Sequence, residues 1–475
     1  MLVITALAQD HFIVDTTFKT TFPTWYVSSV LLVEDGKILI SGQMNYPGAW
    51  STLQQCGLAR LNADGSWDDD FPYSSGAGAL RWWQDRFYLA TNSTVRRMLS
   101  EGGVDPTFEM TLQPYFDPFE LGDYHLFEDG SVVMSGRHIL TDTVRGYIGW
   151  YNFIWFTNTG SLDTTKVHRK GDGGVHAFKR LADGKFIASG WGTQFDGLPM
   201  SRIMRLHEDG SLDTTFSTGI NWGSARSFHE LGDGRVYACG IFGFQPLNDT
   251  LRLARFLQNG DLDPSFNIPD FATGLPDPGG YACLTTSIYP WTDGRLIVMG
   301  TFQFVNGLPR RGICMIDSTG ALLETFHDQG VTPYVYQDDD YGYIEGMAHY
   351  ADNKYLVWGG YHGYDDETGF HEDQRFVTRL IHSDLPIGIT ETRSSKFRIF
   401  PNPTDGMVAV HYDLPGIHPG ILKIIDVTGG VHRHEFLLAG SHEHVIRTDD
   451  LPSGIYLLEI SQEQRILYSY KLFRQ

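Results

Sequence analysis

The chain has 475 residues, with 36 basic against 57 acidic side chains and a formal net charge of −21. A polyanion is held by a basic face that releases counterions, so this balance argues against a nucleic-acid partner. Its 53 glycines, where ordinary usage of about 7% gives roughly 33, and its 13% aromatic content favour a β protein with many tight turns.

The first residues, MLVITALA, end in the small-x-small pattern Ala6-Leu7-Ala8 with no basic stretch before them. Residues 1–9 read as the remnant of a signal peptide, the alternative being an ordinary N-terminal strand. Nowhere do 18 apolar residues run together, so no transmembrane segment is written as a helix. Cys56, Cys239, Cys283 and Cys314 show no CxxC spacing. That disfavours zinc and thioredoxin-like chemistry and leaves disulfides or buried free thiols open.

From residue 10 to 386 one phrase recurs, an Asp-Gly turn followed by an apolar run and Ser-Gly or a variant: EDGKILISG, EDGSVVMSG, ADGKFIASG, GDGRVYACG and TDGRLIVMG. Degenerate copies begin at Gln84 and Ala351. A second phrase, as in IMRLHEDGSLDTTF, follows the first six copies, whereas the seventh stops after FVTRLIHSD. The missing ending stands at the other end of the chain as Val14-Asp15-Thr16-Thr17-Phe18. Splitting one unit between the two ends suits a closed ring, which removes exposed sheet edges, and not an open solenoid. Each period holds four short strands, in the first unit Val27 to Glu34, Lys37 to Met44, Gly57 to Asn62 and Trp67 to Phe71, with Asp35-Gly36 as a two-residue hairpin turn. The expected fold is all-β, a seven-bladed β-propeller closed by the N-terminal strand.

After Pro386 the period ends. Residues 387–396 read as a linker and 397–475 as a second domain, with short strands punctuated by Asn402-Pro403, Asp405-Gly406, Gly429-Gly430 and Ser453-Gly454. About 80 residues suffice for a small immunoglobulin-like β-sandwich.

The repeated phrases, with connections such as FDGLPMSRIMRL and FVNGLPRRGICMI, resemble the delta-sixty repeat family of bacterial β-propellers. That resemblance implies a fold and an extracellular or surface setting, and no defined reaction. The tail resembles the type A C-terminal sorting domain of type IX secretion system cargo in Bacteroidetes. Its motifs fall on Phe400, Pro401, Asn402, Pro403 and Gly406, on Asp426 and Gly429, and on Leu451, Gly454, Ile455 and Tyr456. Phe400 stands where the family commonly has Tyr, and the closing strand carries only Lys471 and Arg474 where relatives are often Lys-rich. The resemblance implies the type IX machinery as a partner and a secreted or outer-membrane surface location.

Candidate chemistry is sparse. Aspartates that recur in nearly every repeat read as turn and hydrogen-bonding groups, since one active site needs only one or two. The runs Asp68-Asp69-Asp70 and Asp338-Asp339-Asp340 lack calcium-loop spacing and read as solvated loop acids. His432, His434, His442 and His444 read as strand histidines, not metal ligands. No catalytic residue, cofactor or metal is expected, and GxSxG, HExxH, Walker and Rossmann motifs are absent. Aromatics in the variable connections, Tyr46, Trp50, Trp191, Tyr361 and Tyr364, are the candidate ligand residues, because flat rings beside acids suit sugars. The leading expectation is a non-enzymatic propeller binding a glycan or protein. The alternatives are a secreted carbohydrate-active lyase or hydrolase and a structural surface component.

Overall fold

In the computed structural model the described residues are 9–21, 25–45, 55–72, 74–110, 113–245, 249–274, 283–324, 326, 329–331, 334–336, 339–385, 398–414, 419–426, 430–438, 442–462 and 465–474. They divide into two compact units, one of Asp10–Ser383 and one containing Asp384–Gln475.

In the larger unit each Asp-Gly repeat forms one antiparallel sheet. The first blade is Trp25–Leu32, Ile38–Asn45 and Gln55–Leu61, the second Leu80–Trp83, Arg86–Ala90 and Val95–Leu99, and the third Phe116–Leu126, Val132–Asp142 and Tyr147–Phe156. The fourth is Val175–Arg180, Phe186–Gly190 and Ile203–Leu206, the fifth Trp222–Glu230, Val236–Phe244 and Asp249–Phe256, and the sixth Thr285–Pro290, Leu296–Gly300 and Ile313–Ile316. The seventh is Tyr343–Ala351, Lys354–Asp366 and Gly369–Leu385, to which the N-terminal strand Gln9–Val14 adds. First strands of successive blades touch around a closed circuit, with the second blade reaching the third through its middle strand. The ring is therefore a seven-bladed propeller, closed as the split repeat implies.

The fourth strand is shorter than expected. In six blades it is a single bridge, Leu61 to Trp67, Met98 to Val104, Phe156 to Leu162, Leu206 to Leu212, Phe256 to Leu262 and Ile316 to Leu322. The next aspartate folds the chain back at once: Phe71 N–H donates to Asp68 O at 3.1 Å, and Asp70 N–H to the Asp68 carboxylate at 3.3 Å. Asp35 and Gly36 both hold positive φ, 64° and 74°, as a tight hairpin turn needs. At Asp129-Gly130 only the glycine does, and the aspartate accepts from Ser131 N–H at 2.9 Å.

The recurring Asp-Thr-Thr-Phe aspartate anchors an inter-blade clamp. In the second blade Arg86 and Arg97 meet the buried Asp105 carboxylate at 2.8 and 2.7 Å, and the Thr107 hydroxyl and amide donate to its other oxygen at 2.6 and 2.9 Å. The Arg97 guanidinium lies 5.1 Å from the Phe108 ring and donates to Asn158 O of the next blade at 2.8 Å. Arg205 with Asp213, Arg255 with Asp263 and Arg379 with Asp15 repeat the device, reaching Gln258 O, Ser318 O and Ala63 O in the following blades. Burial pushes the Asp105 carboxyl up, but Thr107 and Arg97 outweigh it and hold it well below the ordinary carboxylate range. The third blade has Trp155 at the arginine position, with Lys166 5.3 Å from its ring. In the sixth, Met315 and Leu323 replace the pair.

Apolar cores lie between neighbouring blades. One joins Val27, Ile38 and Ile40 to Leu356 and Val377 across the closure. In another, between the sixth and seventh blades, Phe12 of the N-terminal strand packs edge-on against Trp291, Phe326 and Tyr355 at 5.4, 5.8 and 5.7 Å. Phe12→Ala is expected to cost about 3–5 kcal/mol, read from the urea midpoint.

In the C-terminal unit a sheet of Arg398–Phe400, Met407–His411 and Glu443–Arg447 shares one core with a four-stranded sheet of Val431–Leu437, Gly420–Asp426, Gly454–Gln462 and Arg465–Arg474. Val408, Val410, Leu422, Ile424, Leu458 and Leu472 fill the space between them, which makes the unit a small β-sandwich.

Candidate functional site

Seven residues before the aspartate that opens each turn (Asp35, Asp85, Asp129, Asp183, Asp233, Asp293 and Asp352), the blades carry Ser28, Gly78, Gly122, His176, Arg226, Thr286 and Glu345. In six blades the first strand has a bulge there, opposite the Ser-Gly of the second strand or its variant. A bulge leaves its extra residue outside the ladder and re-aims the side chain. Ser28 and Thr286 hydroxyls donate to the backbone of the next blade, to Ala77 O at 2.8 Å and Ile344 O at 2.5 Å. Glycine offers nothing, which leaves His176, Arg226 and Glu345 as the chemically distinct members.

The Arg226 charge acts on Glu345 although the sixth blade lies between them, and one level further along the first strands Arg81 acts on Lys179 across the third. Interactions that skip a blade place these groups around the ring axis. Burial raises the Glu345 carboxyl above its ordinary range, opposed by Arg226. Burial lowers the His176 imidazole, with Glu120 raising it and Arg226 lowering it further, so the ring is neutral near pH 7. The Tyr26 hydroxyl is raised by burial and by Glu345.

Trp191 begins the connection after the second strand of the fourth blade, on the side where the first strands start. It is 63% exposed and its ring lies 4.9 Å from His176. Its backbone is fixed: Trp191 N–H donates to Gly174 O at 2.9 Å, while the Asp172 carboxylate accepts from Thr193 N–H at 2.7 Å, the Thr193 hydroxyl at 2.6 Å and Gln194 N–H at 2.9 Å. Asn152 ties the third blade to the fourth, donating to Gly136 O and Gly173 O at 2.8 Å each and accepting from Gly171 N–H at 2.6 Å.

The long strands of the third blade bring Phe119, Glu120, Arg137 and Trp150 to the same side. Glu120 and Arg137 are cross-strand partners, the Arg137 guanidinium lies 4.2 Å from the Trp150 ring centre, and Phe119, 58% exposed, meets Trp150 edge-on at 5.2 Å. Phe119 N–H donates to Nδ1 of His138, whose pKa burial lowers to about 4. This mouth combines an open indole, a neutral imidazole, two guanidinium groups and two carboxyl groups.

Of the aromatic residues expected to bind a ligand, Trp191 stands at this mouth, and Tyr46 and Trp50 lie outside the described residues. Tyr361 and Tyr364 are corrected: both are wholly buried among Ile313, Val331 and Ile344, with the Tyr361 hydroxyl donating to Val357 O at 3.1 Å, so neither ring offers a face to a ligand. Sequence reasoning missed His176, Arg226, Glu345, Glu120 and Arg137. Aligning the repeats on the Asp-Gly turn exposes the first three, because only that alignment shows that equivalent positions differ.

The four cysteines are buried and free. Among the described residues no group of three or more His, Cys, Asp or Glu could hold a metal, and no helix is long and apolar enough to cross a membrane. In the tail His432 and His444 meet Asp426 and Glu435 at 2.6 and 2.5 Å, and the strands bearing the two His-x-His pairs belong to different sheets.

Most of the tail motif residues fold the sandwich. The Asn402 amide donates to Lys471 O at 2.7 Å and accepts from Phe473 N–H at 2.8 Å, Gly406 O accepts from Thr448 N–H at 2.6 Å, and Asp426 accepts from Gly430 N–H at 2.9 Å. Leu451 and Tyr456 are buried, the latter donating to Pro452 O at 2.8 Å. Phe400 and Ile455 remain exposed, while Gly429 lies outside the described residues.

Residues 398–473 match the model of the secretion system C-terminal sorting domain. Residues 34–71, 181–216 and 231–266 match a β-propeller domain of unknown function, DUF5122. No curated protein sequence matches the chain. Among solved structures, the extracellular domain of a hybrid two-component system from B. thetaiotaomicron aligns at 11% identity and TM-score 0.38, covering 98% of this chain and 58% of that one. An exported protein from Bacteroides fragilis aligns at 12% identity and TM-score 0.33, covering 67% and 92%, and the Pan2 WD40 domain of Neurospora crassa at 10% and 0.35, covering 77% and 91%. The chain spans less than two thirds of the first of these. It carries a β-propeller and a C-terminal sorting domain of the type IX secretion system, which directs it to the cell surface or the medium.

Proposed function

We propose that the exported propeller is a non-enzymatic binding protein whose ligand, an extracellular glycan, docks over the ring axis at Trp191 and His176. One observation carries this reading: among seven equivalent positions three hold His176, Arg226 and Glu345, Arg226 acting on both of the others and His176 lying against an exposed tryptophan. A scaffold repeats its residues, whereas a site needs one odd cluster. An exposed indole stacks on a sugar face while imidazole, carboxyl and guanidinium groups bond its hydroxyls. The tail residues from Phe400 to Tyr456 named above form the sorting signal in this reading.

Calorimetry of the full chain against a polysaccharide panel tests it. Trp191→Ala is expected to weaken binding about 10- to 30-fold and leave the unfolding midpoint unchanged. Equal binding by the variant would overturn the site. Glu120 and Glu345, both acting on groups of this mouth, support a second reading as a carbohydrate-active enzyme, which release of reducing ends during the same incubation would establish.

A further inference from the structure

Nearly every arginine of the ring is held. Most pair with carboxylates, and Arg96, Arg202, Arg252 and Arg310 donate to neutral oxygens. Arg137 and Arg226 alone make no hydrogen bond or ion pair to a described residue, although both are exposed, and both stand at the mouth built around Trp191 and His176. A guanidinium presents five donors in a flat fork that matches a carboxylate or sulfate two bonds at a time. Arg137 lies over the Trp150 ring that Phe119 meets edge-on, and Arg226, on the blade next to His176, acts on that imidazole, whose ring packs against Trp191. Both arginines stand in a chain of net charge −21, whose overall field repels anions. Two guanidinium groups whose donors bond no described residue, at one mouth of such a surface, mark a local complement to negative charge.

The acidic neighbours do not cancel it. Burial raises the Glu345 carboxyl above its ordinary range, and Glu120, Arg137's strand partner and a charge acting on His176, makes no ion pair with either arginine among the described residues. Resting on the glycan reading above, we infer that the ligand is an anionic polysaccharide whose carboxylate or sulfate groups bind Arg226 and Arg137 while its sugar rings lie against Trp191 and Phe119.

The test titrates the full chain and an R226Q/R137Q double variant with polygalacturonate, dextran sulfate, and neutral dextran and galactomannan. Binding to one or both acidic polymers is expected, with a tenfold or greater loss in the double variant and a further fall between 50 and 200 mM salt. The acidic polymer that binds more tightly separates carboxylate from sulfate recognition. Neutral polymers bound as tightly as acidic ones, with the double variant unchanged and Trp191→Ala impaired, would overturn the inference and leave the glycan site standing. Binding to none of the four would overturn both. Because both arginines are exposed and neither bonds a described residue through hydrogen bond or ion pair, an unchanged urea midpoint is expected for the double variant, and R226K/R137K, which keeps charge without the fork, is expected to recover part of the loss.

Discussion

Asp105→Ala is expected to destabilise the ring by about 3–5 kcal/mol, the cost of leaving a buried charge without its partner. The carboxylate is 1% exposed and holds Arg86, Arg97 and Thr107, and Arg97, itself 5% exposed, also bridges to the third blade. Its loss therefore strands a guanidinium and loosens a blade junction together. Urea unfolding of the full chain measures it, and Asp129→Ala, on an exposed turn, is the control, expected to change stability by about 1 kcal/mol or less. An Asp105 variant as stable as that control would sink the clamp as a source of stability.

The same carboxylates set an acid limit. In Asp15, Asp105, Asp213 and Asp263 burial raises the carboxyl, but hydrogen bonds and arginine or lysine partners lower it further, so each lies below its unfolded value of about 3.9. A group depressed in the folded state adds stability that is fully present above its unfolded pKa and is lost as pH falls through the folded one. The ring should keep its urea midpoint from neutrality down to about pH 4 and lose it progressively below.

Deleting residues 398–473 is expected to abolish appearance of the propeller at the surface and in the medium, with the protein retained inside the cell. Those residues form the sorting domain and share no compact unit with Asp10–Ser383. Fractionation with an antibody to the propeller reads the result, and unchanged surface signal would show that export is specified elsewhere. A milder variant separates folding from recognition: Leu458→Ala, deep in the sandwich core, is expected to cost about 2–5 kcal/mol, whereas Phe400→Ala touches an exposed ring stacked 5.2 Å from His411.

The architecture was legible because it is periodic. Asp-Gly turns, alternating apolar runs and the Asp-Thr-Thr-Phe ending state the blade count, and the ending at Val14 to Phe18 states how the ring closes. Packing against a particular neighbour is not periodic, so the repeat does not encode it. Tyr361 and Trp191 both follow a Ser-Gly position or its equivalent, yet one is wholly buried and the other 63% exposed. Aromatic identity alone does not separate them, because burial depends on whether the connection continues the strand, as Lys354–Asp366 does, or turns away after Gly190. The axis residues were hidden for the opposite reason. Their signal is the departure from a repeat, visible only after the repeat has been registered.

The seam between the two ends of the larger unit also imposes a schedule. Asp15 and Arg379, which complete the last clamp, are separated by 364 residues. At a synthesis rate of roughly 5–20 residues per second, the N-terminal strand is made about 20 to 70 seconds before its partner exists. Were the blades to fold as they are made, Phe12, Ile13 and Val14 would through that interval be an unpaired apolar edge beside a growing row of finished blades, a template for mispairing. A protein built this way needs its leading segment kept from the wrong sheet until the last one arrives. Waiting to fold until the whole chain has been exported meets that need without a dedicated guard.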